Sequence, residues 1–212
     1  TPIGNKDDIT LRAVETLRNA DGVICEELRE GSKLLKQLDI TPKELIDLNE
    51  HNEPEKAMDL VIQMAQGKSY ALISDGGTPV FSDPGHYLIR VARETEIPVV
   101  PVPGASSLMA ALSVLDYKLG KFVFGGFLSR DPDQRRQELT RLRGLRMPVV
   151  LMDTPYRLNA LLEDVVKVFG KGQRVTLALN VTQPNEDILR GSAAEVLKRL
   201  NKRKAEFILI LD

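Results

Sequence analysis

At 212 residues the chain has room for one large domain or two lobes of about 100 residues each. Its 42% hydrophobic and 28% charged residues are ordinary for a soluble globular protein, and no apolar run approaches the ~20 residues of a membrane-spanning helix. One cysteine (Cys25), two histidines (His51 and His86) and a net charge of −1 leave no internal disulfide and no Cys/His zinc cluster. No metal or membrane is therefore expected, and with no secretion signal the cytoplasm is the expected compartment.

The chain opens on Thr1-Pro2-Ile3-Gly4-Asn5, a turn with no strand before it, so an upstream segment is expected to be missing. Ile9, Leu11, Val14 and Leu17 recur at helical spacing between Asp8 and Ala20, with Asp8 or Thr10 as the cap. Gly22 to Cys25 reads as a strand, Ser32 to Leu38 as a short helix and Glu44 to Leu48 as another strand. A helix runs from Asn52, with Pro54 in its first turn, to Gln66, where Gly67 stops it. Ser69 to Ser74 is a buried strand, and residues 75–85 form a long loop. Tyr87 to Glu94 is a helix, Pro98 to Val102 a strand and Ser106 to Leu115 a helix.

Apolar periodicity lapses between Asp116 and Lys121, which divides the chain into lobes 1–117 and 118–212. The second lobe reads as strand (122–127), charged helix (132–143), strand (148–152), helix (158–168), two strands (174–179 and 186–190), helix (193–200) and a final apolar strand (206–211) that is expected to lie centrally. Alternating strand and helix signals predict an α/β fold in two lobes. The sheet is mostly parallel in the N-terminal lobe and mixed in the C-terminal lobe.

The net charge conceals a division. Residues 1–117 hold 11 Lys/Arg against 19 Asp/Glu, a balance of −8; residues 118–212 hold 18 against 11, a balance of +7. A basic second half suits a polyanion, although attraction between the halves or a solvated Arg-rich helix would give the same count. Within it, Arg135, Arg136, Arg141, Arg143 and Arg146 crowd one helix, a pattern expected to grip phosphate.

Three loops are expected to stand where an open α/β sheet binds ligands: residues 1–5, residues 74–85 (Ser-Asp-Gly-Gly-Thr-Pro-Val-Phe-Ser-Asp-Pro-Gly) and residues 103–107 (Pro-Gly-Ala-Ser-Ser). Glycines admit a ligand close to the backbone, and prolines fix loop shape. Asp75 can accept hydrogen bonds from a ligand, and Ser106 opens a helix whose free N–H groups suit an anion. No Walker, Gly-x-Gly-x-x-Gly or Gly-x-Ser-x-Gly pattern is present. Taken singly, each loop is also ordinary turn chemistry.

Thr-Pro-Ile-Gly-Asn, then Asp-Ile-Thr-Leu-Arg-Ala (8–13), Glu-His-Asn-Glu (50–53), the twelve-residue loop and Pro-Gly-Ala-Ser-Ser together resemble the ribosomal RNA small-subunit methyltransferase I family of the tetrapyrrole-methylase superfamily. Weaker similarity continues through Gly126-Phe127-Leu128, residues 154–158 and residues 186–191. The resemblance implies two α/β lobes with S-adenosylmethionine between them, a homodimer, and 2′-O-methylation of a cytidine ribose on the small ribosomal subunit. By motif it assigns Pro2, Asp75, Gly76, Thr78 and Ser106 to the cofactor, with Ser74, Met152 and Asn180 as weaker candidates, and it puts Ser82 and Asp83 toward the substrate. Departures fall at residues 25–30, 153–157 and 179–182, positions expected to face substrate.

The sulfonium methyl is already activated, so the protein has mainly to align donor and acceptor, with a base for the ribose proton. Glu26, at a strand end, is the first candidate base, with His51 and Asp83 behind it and Glu27 and Glu50 nearby. A small-molecule, tetrapyrrole-type methylase and a cofactor-binding protein without activity are the competing readings; 5% aromatics and no tryptophan offer little to a macrocycle.

Overall fold

The computed structural model describes residues 1–212, and the chain forms two compact units, Thr1–Ser106 and Ser107–Asp212. The division falls eleven residues before the lapse in periodicity at 117/118. Its cause is the helix Ser107–Ser113, which seats Ala111 on the sheet of the second unit. Asp116 moves with it, so the balances become −7 and +6.

In the first unit, β1 (Gly22–Cys25) is central in a three-stranded, wholly parallel sheet, flanked by β2 (Leu45–Asp47) and β3 (Tyr70–Leu72). Side chains alternate along β1. Val23 and Cys25 pack with Leu17 of α1 (Leu11–Asn19) and with Leu34 and Leu35 of α2 (Leu28–Gln37). Ile24 faces Leu60 and Val61 of α3 (Glu53–Ala65) and Leu88 and Val91 of α4 (His86–Glu94). Helices thus cover both faces, as a parallel sheet requires. Thr10 caps α1 by accepting the N–H of Ala13 at 3.2 Å.

The strand expected at Pro98–Val102 does not form. Val100 is 73% exposed, and the segment is held by side chains: the Arg12 guanidinium donates to the Pro101 carbonyl at 2.8 Å, and the Thr10 hydroxyl to that of Pro103 at 3.5 Å. Pro98, Pro101 and Pro103 lack the N–H a ladder needs, which outweighs the β preference of the valines between them.

The second unit starts with α5 (Ser107–Ser113) and contains a five-stranded mixed sheet in the order β4-β5-β8-β6-β7. The strands are β4 (Val123–Gly126), β5 (Val149–Asp153), β6 (Arg174–Leu179), β7 (Asp187–Ser192) and β8 (Phe207–Leu211). The uninterrupted apolar run of β8 is central and wholly buried. On one face, Leu139 of α6 (Pro132–Gly144), Leu161 and Leu162 of α7 (Leu158–Phe169) and Val196 of α8 (Ala193–Leu200) meet Leu151, Leu177 and Leu209. α5 covers the opposite face over Val150, Ala178 and Ile208. No helix is long and apolar enough to cross a membrane.

Candidate functional site

Because β1, β2 and β3 are parallel, their carboxyl ends emerge along one edge. The Leu48 N–H donates to the Cys25 carbonyl at 2.8 Å and the Ile73 N–H to that of Ile24 at 2.9 Å. Glu26 therefore leaves the sheet between the loop carrying Glu50 and His51 and the loop beginning at Ser74-Asp75. The sheet topology itself gathers these residues.

The three glycine- and proline-rich loops meet at Gly77 and Thr78. The Gly77 N–H donates to the Thr1 carbonyl at 3.1 Å, and the Thr78 hydroxyl donates to the Ala105 carbonyl at 3.3 Å. Gly77 has φ +89°, and a Cβ there would stand 3.3 Å from Ile3 Cγ2 and 3.5 Å from the Ala105 carbonyl oxygen. A Cβ on Gly76 would meet only the Pro2 carbonyl oxygen, at 3.9 Å. The loops bearing Pro2, Gly76, Thr78 and Ser106 are thus knitted into one structure, with room beside Gly76 for close approach to its backbone. Ser74 has a different part: 2% exposed, its hydroxyl donates to the Gly77 carbonyl at 2.9 Å and braces the turn from within.

Three carboxylates of this edge are shifted in the same direction. Burial raises the pKa of Glu26, and the charges of Asp75, Asp83, Glu27 and Glu50 raise it further. Asp75 is raised by burial and by Glu27 and Glu30, although it accepts a backbone hydrogen bond from Glu27. Asp83 is raised by burial and by Asp75. Carboxylates held so close favour a cation and repel further negative charge. His51 is exposed, and its N–H donates to the Asn49 side chain at 3.0 Å; Asn49 and Asn52 close this turn. No group of His, Cys, Asp and Glu side chains is placed to hold a metal ion.

Two features of this edge have no mark in the local sequence. Val80, a β-branched residue, sits at φ +74°, a strained conformation in the middle of the twelve-residue loop. Glu53, 8% exposed on α3, accepts the N–H groups of Tyr87 at 2.8 Å and Leu88 at 3.0 Å and so caps α4 where the loop ends. Only the three-dimensional fold brings Glu53 to that helix, 34 residues away.

In the second unit, β5 and β6 both pair with β8, so Met152 and Asn180 share one end of the sheet. Met152 is opposite Ile208, and the Asn180 N–H donates to the Glu206 carbonyl at 2.8 Å. Asn180 has φ +47°, a conformation asparagine tolerates.

The basic helix α6 departs from expectation. Arg135 is buried and forms two hydrogen bonds to Asp164 Oδ2, at 2.7 and 2.9 Å. Arg136 pairs with Asp133 and Asp164, and Arg143 donates to the Val168 carbonyl at 2.7 Å. Three of the five arginines are therefore engaged within the unit, and a buried guanidinium bound to a carboxylate is withdrawn from phosphate. Asp164 answers the loss of hydration on burial, which would raise its pKa, with hydrogen bonds from Arg135 and Lys167 that lower it below its ordinary value.

A parallel sheet ending in glycine-rich loops and a mixed second sheet define the class. Residues 1–197 match the family model described as tetrapyrrole (corrin/porphyrin) methylases, and the chain belongs to that family as an S-adenosylmethionine-dependent methyltransferase. It is similar over its whole length to proteins named ribosomal RNA small subunit methyltransferase I. The relative from Halalkalibacterium halodurans is 36% identical and 73% covered; that from Leptospira biflexa is 38% identical and 88% covered; that from Escherichia coli O157:H7 is 37% identical and 75% covered. Solved structures with the same fold include a cobalt precorrin-4 methyltransferase (TM-score 0.70, 16% identity, 98% of this chain and 90% of that one) and a diphthine synthase (TM-score 0.72, 15% identity, 99% and 86%).

Proposed function

We propose that the chain transfers a methyl group from S-adenosylmethionine to the 2′-oxygen of a cytidine ribose in small-subunit ribosomal RNA. The observation that carries this reading is the joining of three glycine- and proline-rich loops at Gly77 and Thr78 beside a cluster of carboxylates. Such an edge suits a compact, positively charged sulfonium: backbone groups near Pro2, Gly76 and Thr78 approach it closely, Asp75 accepts from its hydroxyl or amine groups, and Ser106 donates to its carboxylate. Ser74 braces the loop. Met152 and Asn180 enter through the sequence resemblance. The bound donor supplies an activated methyl group, which leaves the protein to position the acceptor and remove its proton.

Glu26 is the proposed base. Its raised pKa makes it a stronger proton acceptor than an ordinary glutamate, and it stands at the end of the central strand. Asp83 is the alternative, and His51, exposed on the neighbouring turn, is the third candidate. Small ribosomal subunits as the partner belong to the same proposal, supported by the names of the relatives; a homodimer enters through the resemblance of the motifs, and a cytoplasmic location through the composition of the chain. Calorimetry with S-adenosylmethionine and S-adenosylhomocysteine, followed by a crystal structure with the latter, tests the site. Density against the 74–85 loop is expected; saturable binding with that loop uncontacted removes it from the site.

A further inference from the structure

Phe127 and Tyr156 are large apolar rings left in water, 50% and 77% exposed, in a chain that has only six phenylalanines, four tyrosines and no tryptophan. They occupy adjacent loops. β4 and β5 pair in parallel, Phe127 directly follows β4, and Tyr156 is three residues beyond β5. Arg157 fastens the two loops together: its Nη2 donates to the Leu128 carbonyl at 2.7 Å and the Ser129 carbonyl at 2.6 Å, while its Nη1 lies 3.1 Å from the buried Asp153 carboxylate. The residue after one ring is thus held to the residue after the other.

Cations stand at the same end of the sheet. The Lys204 ammonium lies 4.8 Å from the centre of the Tyr156 ring. Its segment leads into β8, whose first residue, Phe207, pairs with Asp153. The Asn159 amide donates to the Arg203 carbonyl at 3.0 Å and anchors that segment to the start of α7. Arg130 is exposed three residues after Phe127. Exposed rings beside cations on anchored loops are what unpaired RNA requires, since bases stack on aromatic faces while phosphates meet Lys and Arg. A duplex keeps its bases stacked on one another and gains nothing from the rings.

We propose that Phe127 and Tyr156 form a stacking platform for unpaired bases of the RNA substrate, with Lys204 and Arg130 meeting the phosphates beside them. Lys204 covers one face of Tyr156 and a base takes the other. The platform rests on the reading of RNA as the substrate and adds the form in which that RNA is held.

Fluorescence anisotropy with a labelled single-stranded oligoribonucleotide, and with its duplex, tests the platform, alongside calorimetry with S-adenosylhomocysteine. The unaltered protein is expected to prefer the single strand. Tyr156→Ala and Phe127→Ala each weaken that binding about tenfold, and Tyr156→Phe stays within about twofold. Lys204→Ala reduces the salt slope by about one. Melting temperature and S-adenosylhomocysteine affinity stay unchanged, because both rings are on the surface. If the unaltered protein prefers the single strand and the alanine variants match it, the platform alone is overturned. Equal affinity for strand and duplex, with alanine variants unaltered, also overturns it. If the unaltered protein binds S-adenosylhomocysteine but no RNA, the substrate reading fails together with the platform.

Discussion

The carboxylate of Glu53 accepts the backbone N–H groups of both Tyr87 and Leu88, at 2.8 and 3.0 Å, and so joins α3 to the first turn of α4. This bond fixes the point at which the twelve-residue loop re-enters regular structure. Glu53→Ala leaves buried donors unsatisfied and is expected to cost about 1–3 kcal/mol. Glu53→Gln keeps an acceptor and loses less. Thermal or urea denaturation checks the order of the two variants.

Gly76 and Gly77 are neighbours with different constraints. Gly77→Ala places a side chain at φ +89° against Ile3 and the Ala105 carbonyl, and is expected to destabilise by more than about 1 kcal/mol. Gly76→Ala meets only the Pro2 carbonyl oxygen, at 3.9 Å, so the fold tolerates it. The expected signature of Gly76→Ala is an unchanged melting temperature with weaker S-adenosylmethionine binding, read by calorimetry. Unchanged affinity takes the ligand away from this backbone.

Arg135 and Asp164 form a buried ion pair, with side chains 6% and 2% exposed. Arg135→Ala leaves the carboxylate without its main partner and is expected to cost about 3–5 kcal/mol. RNA affinity per folded molecule stays the same. Arg141, exposed on the same helix, is the residue whose removal tests phosphate contact. Acid titration gives a second check. Asp164 has a folded pKa below its ordinary 3.8, so its contribution to stability is full above 3.8 and is lost as pH falls through the lower folded value. Asp164→Asn lacks that contribution at neutral pH, and its stability falls less steeply on acidification.

The proposed base sets a pH dependence. Glu26 must be ionised to accept the ribose proton, and burial with four neighbouring carboxylates raises its pKa. The acid limb of kcat is therefore expected above the ordinary carboxylate range. Asp75→Asn removes a neighbouring negative charge and moves that limb to lower pH, read at saturating donor because Asp75 also belongs to the proposed donor site. Glu26→Gln lowers kcat by about 10²–10⁴-fold. An unmoved limb in Asp75→Asn excludes Glu26 as the group titrating there.

Where one local signal governed a segment, the sequence was easy to read. Five consecutive apolar residues place β8 at the buried centre of its sheet, and Thr10 marks the start of α1 by its side-chain chemistry. Pro98–Val102 misled because its valines favour a strand while Pro98 and Pro101, with Pro103 directly after, remove the donors that would make one. α6 misled because its arginines look alike in one dimension. Only folding brings Asp164 across from α7 to bury Arg135. Within the candidate site, the glycines and prolines of the loops were visible. Their cross-links through Gly77 and Thr78, the brace from Ser74 and the cap from Glu53 depend on partners distant in sequence or on the turn's own geometry.

Methyl transfer from methyl-tritiated S-adenosylmethionine to small ribosomal subunits lacking the modification, followed by alkaline hydrolysis, is the most direct measurement. A ribose 2′-O-methyl group blocks the hydroxyl that alkaline cleavage requires. The expected label appears in an alkali-resistant dinucleotide with cytidine at its 5′ position, and Glu26→Gln and Gly76→Ala reduce it. Label confined to a base, or to no RNA while the donor still binds, contradicts ribose methylation by this chain.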